Sequence, residues 1–252
     1  MQFRILLSIG FIGLVLHCFT AASSQGTENS APKVTITSPA QNSAFQWNSI
    51  VPYAIRISDK EDGNSEYNEI PANEVLLMVA YLPDSTHLKS FLSDRSKANR
   101  EVLLWMSTST CFNCHAAKAK LIGPSFEQIA QRYTNNTTTV DSLAKKIITG
   151  SSGTWGDLNL KMPPHPDLKI DQVREIVHWI LKNSSDPDQN YFVGTEGAFR
   201  TKQKREEDHG TGVYVLTASY ADHGVKGSPP SDGVIRAGSR QGQHTVILRN
   251  YR

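Results

Sequence analysis

The chain has 252 residues, a formal net charge of +2, and 38% hydrophobic residues. A charge this close to neutral gives no support for binding to nucleic acid. The length is sufficient for one large or two small domains with their own hydrophobic cores.

Residues 1–22 have the features of a secretory signal peptide. A basic start precedes an apolar run from Ile5 to Leu16, and two alanines then suit cleavage. The run is shorter than the ~20 residues that span a bilayer. Cys18 raises the alternative of a lipoprotein anchor, but His17 before it is a poor fit to the small residue that lipid-linked processing prefers. We therefore predict a periplasmic or secreted protein and favour lipoprotein anchoring less.

The first part after this leader has strand patterns. Val34–Pro39 and Val51–Ile57 alternate with a period of two, and Val75–Leu82 is a continuous apolar run. The acidic stretch Asp59–Asp62 before Gly63 predicts a polar turn, with calcium binding as the less favoured alternative.

The middle of the chain predicts four short helices. The first runs over Arg100–Met106, and the second carries apolar residues at i, i+3, i+4 and i+7 from Phe126 to Tyr133. The third is expected to begin at an Asp141 cap and to end at Gly150. The fourth is expected to begin at an Asp171 cap. Segments 212–220 and 245–248 then predict further strands.

Between the first two helices lies the motif Cys111-Phe112-Asn113-Cys114-His115. C-x-x-C-H is the attachment site of a c-type haem, in which two thiols bond to the porphyrin and the histidine becomes the proximal iron ligand. A redox dithiol or half of a zinc site also begins with C-x-x-C. Neither alternative is favoured, because the third cysteine, Cys18, lies in the predicted leader and the flanking residues read as helix. The motif predicts one covalently bound haem c and electron transfer.

The second axial ligand is predicted to be Met162. It lies between the third and fourth helices in Lys161-Met162-Pro163-Pro164, where prolines stiffen the loop. The other methionines of the mature chain are Met78 and Met106, for which we expect core packing. With His115 and Met162 both on the iron there is no open position for a substrate, so we predict an electron carrier and not an enzyme.

Residues 96–183 resemble a bacterial class I cytochrome c of the c551 type. The matching segments are CFNCHAAKAKLIGPSF, LAKKIITGSSGTWGDLNLKMPPHP and VREIVHWIL. The resemblance implies the haem site: Cys111 and Cys114 as thioether anchors, His115 and Met162 as iron ligands, the Pro124 carbonyl as the partner of His115, and Trp155 beside a haem propionate. His165 stands where family members often have asparagine, which leaves it as a rival ligand or propionate partner.

The flanking segments resemble the two ends of bacterial Ig-like or PKD-like modules. The matching stretches are ITSP and SDKEDG at one end and GVYVLTASYADHG at the other. We therefore predict a multidomain protein in which an all-α class I cytochrome c domain, residues 96–183, is inserted in or flanked by an all-β Ig-like sandwich. That sandwich would combine 33–85 with 190–252 across the insertion; two separate β segments are the alternative.

Similar combinations of an Ig-like module with a c551-like domain occur beside PQQ-dependent sugar dehydrogenases in Bacteroidetes-like bacteria. This association implies such a dehydrogenase as electron donor and an oxidase or another cytochrome as acceptor. Two alternatives remain open. One is a carbohydrate- or surface-binding β module with an auxiliary haem, for which exposed rings at Trp47, Tyr53, Tyr191 and Phe192 would be needed. The other is a haem-based sensor in which Met162 dissociates to admit a small ligand.

Overall fold

The computed structural model describes residues 29–93, 97–156, 161–206, 208, 210–224 and 239–250, with the backbone alone at 97–100. The predicted signal peptide, including Cys18, lies outside the described residues. Within the described part, none of the helices has the length and apolar character needed to cross a membrane.

The described residues form ten strands and five α-helices. The strands are β1 (Lys33–Ser38), β2 (Ile50–Asp59), β3 (Gly63–Asn64), β4 (Leu76–Leu82), β5 (Ser151–Ser152), β6 (Lys161–Met162), β7 (Gln189–Val193), β8 (Glu196–Arg200), β9 (Val213–Ala221) and β10 (Gln241–Arg249). The helices are α1 (Leu88–Ser93), α2 (Lys97–Thr108), α3 (Phe126–Arg132), α4 (Thr137–Thr149) and α5 (Ile170–Asn183).

Two four-stranded antiparallel sheets each combine strands from before and after the helical segment. In the first, β2 lies between β1 on one side and β8 and β3 on the other, with Tyr53 opposite Gly197. In the second, the order is β10-β9-β4-β7, and Leu77 of β4 lies opposite both Ala218 and Phe192. Sequence patterns did not predict β7 and β8, which complete the two sheets.

The facing sides of the sheets share one hydrophobic cluster. Strand β2 contributes Tyr53, Ile55 and Ile57, as expected from its period of two. Strand β4 contributes Leu77, Val79 and Tyr81 to the same cluster, and Val75, directly before the strand, also belongs to it. The two sheets therefore pack face to face around a common core.

The opposite side of β4 packs against the helices. Leu76, Met78 and Ala80 belong to a second cluster with buried residues of α2, α4 and α5. Met78 and Met106 are 2% and 0% exposed and lie in this second core, as expected for packing methionines. The helical segment is thus attached to the sheet by a continuous apolar interface.

Two helices begin earlier than predicted. Asn136 caps α4 by accepting a hydrogen bond from the Thr139 amide at 2.9 Å, so Asp141 is not the cap. At α5 the Gln172 side chain accepts from the Lys169 amide at 3.0 Å, and Asp171 lies in the first turn. Both aspartates instead pair with one guanidinium, that of Arg174.

The acidic stretch after β2 is a hydrogen-bonded turn. Asp59 Oδ1 accepts from the backbone amides of Glu61 and Asp62 at 2.9 and 2.8 Å. Within the described residues, no group of three or more histidine, cysteine or carboxylate side chains is arranged to hold a metal ion. These contacts support the predicted polar turn.

The rings named for carbohydrate binding are not an exposed platform. Tyr53 and Tyr191 are 4% and 8% exposed, and Trp47 and Phe192 are partly buried against the shared core of the two sheets. A sugar platform needs accessible ring faces. The burial of these four rings therefore counts against the carbohydrate-binding alternative at these positions.

A charged cluster lies where β9 ends. His223 Nε2 is 2.9 Å from Glu74 Oε2, and its Nδ1 is 3.1 Å from Asp62 Oδ2. Asp62 Oδ2 also accepts from the Tyr220 hydroxyl at 2.8 Å. The hydrogen bond to Glu74, with the charges of Glu74 and Asp62, raises the pKa of His223 from 6.5 to about 9 against the opposing effect of burial.

This cluster predicts a loss of stability in mild alkali. Because the pKa of His223 is higher in the folded than in the unfolded chain, its stabilisation is complete below pH about 6.5 and is lost as the pH rises to about 9. His223→Gln should flatten this part of the profile, measured as the free energy of unfolding at the two ends of the window. His87→Gln, on the exposed turn before α1, is the control and should retain the wild-type slope. Equal slopes in all three proteins would contradict the assignment.

Candidate haem site

All six predicted site residues line one cleft. It lies among α3, α4, α5 and the segments that join them, and its empty volume is about 1160 Å³ when space open to solvent is included. The six residues are Cys111, Cys114, His115, Pro124, Trp155 and Met162. Most of the other lining side chains are apolar, which suits a flat hydrophobic ring.

The C-x-x-C-H motif folds as one tight turn directly after α2. Cys111–Asn113 form a 3-10 turn that follows Thr110 in the left-handed conformation, with φ 60°. The amides of Cys114 and His115 both donate to the Cys111 carbonyl, at 3.3 and 3.0 Å. The two thiols and the imidazole are therefore held on one short piece of backbone.

His115 is oriented as an iron ligand requires. Its Nδ1 lies 2.6 Å from the Pro124 carbonyl oxygen. A carbonyl can only accept, so Nδ1 carries the proton and the Nε2 lone pair is free to bind a metal. Burial lowers the pKa of His115, opposed by the Pro124 hydrogen bond, and this favours the neutral ring that a metal ligand must have. The Phe126 ring stacks on the imidazole with centroids 5.5 Å apart.

The surroundings of Cys111 suit a thioether. Burial raises the pKa of the Cys111 thiol to about 12, so this sulfur resists ionisation. A zinc site needs thiolates, and a reactive dithiol needs a lowered pKa. A sulfur bonded to carbon carries no charge and is compatible with this apolar position.

Met162 is held against the end of α4. It lies in β6 opposite Ser151 of β5. Gly150 has φ 78°, and a Cβ there would lie 2.8 Å from the Met162 carbonyl oxygen, so this close approach requires glycine. The His165 amide donates to the Ile147 carbonyl at 3.0 Å and holds the far side of the loop. Met162 is the single methionine among the described residues that line the cleft.

His165 and Trp155 differ in their relation to the cleft. His165 is not among its lining residues, so the structure gives no support to a rival ligand there. Trp155 lines the cleft, is 37% exposed, and has the Arg132 guanidinium 4.5 Å above its ring. Sequence reasoning missed Arg132, and no pattern in the chain marks its contact with a ring in a distant loop.

Two lysines at the cleft were also not singled out as site residues. Lys146 on α4 and Lys161 on β6 are cleft-lining residues. Haem carries two propionate carboxylates, and cations near them offset the charge of these groups. The neutral imidazole, the protonated thiol, the apolar walls and these cations together fit a c-type haem.

The family model for cytochrome c matches residues 105–184. Cytochrome c-551 of Azotobacter vinelandii is 38% identical over 74 residues, which are 29% of this chain and 87% of that protein. The chain belongs to the cytochrome c family. Cytochrome c-552 of Hydrogenobacter thermophilus is 38% identical over 28% of this chain and 69% of its own. The crystal structure of wild-type Nitrosomonas europaea cytochrome c552 aligns over 31% of this chain and 94% of its own, with 32% identity and a TM-score of 0.29.

These findings confirm the predicted haem protein. Cytochromes c are electron carriers with a covalently attached haem c, and Cys111 and Cys114 fit the two attachment positions. The c551-type domain occupies about residues 105–184, and the β-sheet-rich region lies on both sides of it. The protein is therefore multidomain, and its β region falls outside the match to the family.

The packing behind His115 predicts the effect of a small substitution. A Cβ at Gly123 would lie 2.5 Å from His115 Cε1 and 2.9 Å from Nδ1. Gly123→Ala should displace the imidazole, weaken its bond to Pro124 and reduce stability by about 1–3 kcal/mol. The free energy of unfolding and the shifted NMR resonances of the His115 ring in the ferric protein measure the two effects.

Gly156→Ala provides the comparison. A Cβ there meets no atom within 4 Å, but φ is 86°, so this variant should lose stability through backbone strain alone. The His115 resonances should stay in place. If Gly123→Ala left those resonances unchanged, the steric argument would be wrong.

Proposed function

We propose that this protein is a periplasmic or secreted monohaem cytochrome in which His115 and Met162 are the axial ligands. The iron would cycle between Fe(II) and Fe(III). The observation that carries the proposal is the hydrogen bond from His115 Nδ1 to the Pro124 carbonyl, which leaves the Nε2 lone pair available to a metal in the cleft that Met162 also lines. The haem supplies the redox chemistry when bound.

The chain's residues have distinct roles in this proposal. Cys111 and Cys114 hold the porphyrin through thioether bonds, and His115 supplies nitrogen on the proximal side. The soft sulfur of Met162 favours the ferrous state and raises the reduction potential. With His115 and Met162 both bound to the iron, no position would remain for substrate, which favours electron transfer over catalysis.

An exposed apolar patch beside the cleft supports docking to redox partners. Ile122 and Trp155 line the cleft and are 58% and 37% exposed, and neighbouring Leu121 is 51% exposed. Lys146 and Lys161, which also line the cleft, place positive charge beside this patch. The surface suits an acidic partner, through an attraction that salt would screen.

The proposed electron donor is a PQQ-dependent sugar dehydrogenase, and the proposed electron acceptor is an oxidase or another cytochrome.

The proposed architecture is an Ig-like or PKD-like sandwich interrupted by the cytochrome domain. Residues 33–85 and 190–252 would form the β module, and 96–183 the cytochrome. The pairing of β2 with β8 and of β4 with β7 and β9 supports this arrangement, as does the core that the two sheets share. The leader-like residues 1–22 support export, with Cys18 lipidation as the less favoured variant.

The decisive test is protein made in a host that matures c-type cytochromes. A pyridine haemochrome spectrum and mass spectrometry should find one haem on the peptide that contains residues 111–115. Haem that is extracted by acidified acetone would contradict covalent attachment.

Substitution of Met162 tests the distal ligand. Met162→Ala should abolish the far-red sulfur-to-iron absorption band of the ferric protein, lower the reduction potential by on the order of tenths of a volt, and admit CO to the ferrous iron. Met106→Leu conserves the volume of a buried methionine and should change none of these properties. Rapid CO binding by the unaltered protein would instead favour the sensor alternative.

A further inference from the structure

The segment that binds the haem is contacted from both sides by the β region. We define the haem-attachment segment as residues 111–118. Asn73, in the turn before β4, donates from Nδ2 to Asn113 Oδ1 at 3.3 Å. Lys118 Nζ donates to the backbone carbonyls of Asp186 and Pro187, at 3.2 and 3.3 Å, where the chain returns from α5 to β7. The β region therefore contacts this segment at two places, the turn before β4 and the turn before β7.

The first side also holds the helix that leads into the segment. The Ser107 hydroxyl of α2 donates to the Glu74 carbonyl at 3.0 Å. Met106, one residue earlier, is fully buried in the cluster that includes Leu76 and Met78 of β4. The start of the haem-attachment segment is thus fixed relative to the sheet.

On the second side, the acceptors of Lys118 lie in a turn with its own bonds. Asp186 Oδ1 accepts from the Asp188 amide at 2.8 Å, and Asp186 Oδ2 accepts from Gln189 Nε2 at 2.7 Å. The Asp188 carbonyl in turn accepts from the Tyr81 amide of β4 at 2.8 Å. Lys118 is therefore bonded to a turn that is itself joined to the central strand.

We propose that Lys118 is a positioning residue through which the β region fixes the proximal side of the haem. A charged donor bonded to two carbonyls at a half-buried position is among the stronger hydrogen-bonding arrangements in proteins. Lys118 lies three residues after His115, so its release would loosen the backbone that carries the imidazole. This inference rests on the proposed ligation by His115.

Lys118→Met in the full-length holoprotein removes the donor and keeps an unbranched apolar side chain. In the ferrous protein, hydrogen exchange at the amides of His115 and Gly123, which donate to the carbonyls of Cys111 and Cys114, should become about tenfold faster. The reduction potential should fall, because water that reaches a loosened proximal side stabilises the more highly charged ferric iron. Lys118→Arg keeps a charged group that can donate to both carbonyls. It should restore the wild-type exchange rates and reduction potential.

Lys120→Met is the matched control, since it removes the same charge from an exposed position two residues away. It should leave the exchange rates of both amides unchanged. The proposal is overturned if Lys118→Met and Lys120→Met give the same exchange rates and potentials, or if Lys118→Arg does not restore them. The shifted NMR resonances of the His115 ring in the unaltered ferric protein test its ligation separately, so failure of the proposed function and failure of this inference give different results.

Discussion

The burial of β4 on both of its faces is the constraint on which the rest of the structure depends. From Val75 to Tyr81 no residue is more than 4% exposed. Odd-numbered residues pack into the core between the sheets, and even-numbered residues pack against α2 and α5. Each large apolar side chain buried in this way contributes roughly 1.5–3 kcal/mol, so the strand contributes strongly to both cores. The β region and the cytochrome domain therefore share a structural element.

The burial of β4 on both faces explains why this strand could be predicted from the sequence. An apolar run without alternation is the pattern of a strand buried on both faces, and Val75–Leu82 has that pattern. The haem-attachment motif could also be predicted from the sequence, because its residues are neighbours in the chain. Two thiols and an imidazole lie within five residues. Met162 is followed by two prolines, and its strand partner Ser151 lies eleven residues earlier.

The missed features all depend on partners that are distant in the sequence. Strands β7 and β8 are short, and β8 pairs with β2, as in the pair Ile50 and Arg200. The helix starts were misplaced because Asp141 and Asp171 resemble caps, while Arg174 recruits both carboxylates and leaves Asn136 and Gln172 to bond the first amides. The rings of Trp47, Tyr53 and Phe192 pack in the core between the two sheets, which combines residues from both ends of the chain. Local pattern carries no information on such choices.

The two sides of the haem cleft are held by different means, and this has a consequence for function. The imidazole of His115, the proposed proximal ligand, has a short bond to the Pro124 carbonyl, a stacked Phe126 and a close approach to Gly123. Met162, the proposed distal ligand, is held by the ladder of β5 and β6, by the close approach of Gly150 and by the His165 bond to Ile147. These contacts hold its backbone, whereas those at His115 hold the imidazole itself. If His115 and Met162 bind the iron as proposed, ligand exchange is therefore expected to begin on the Met162 side.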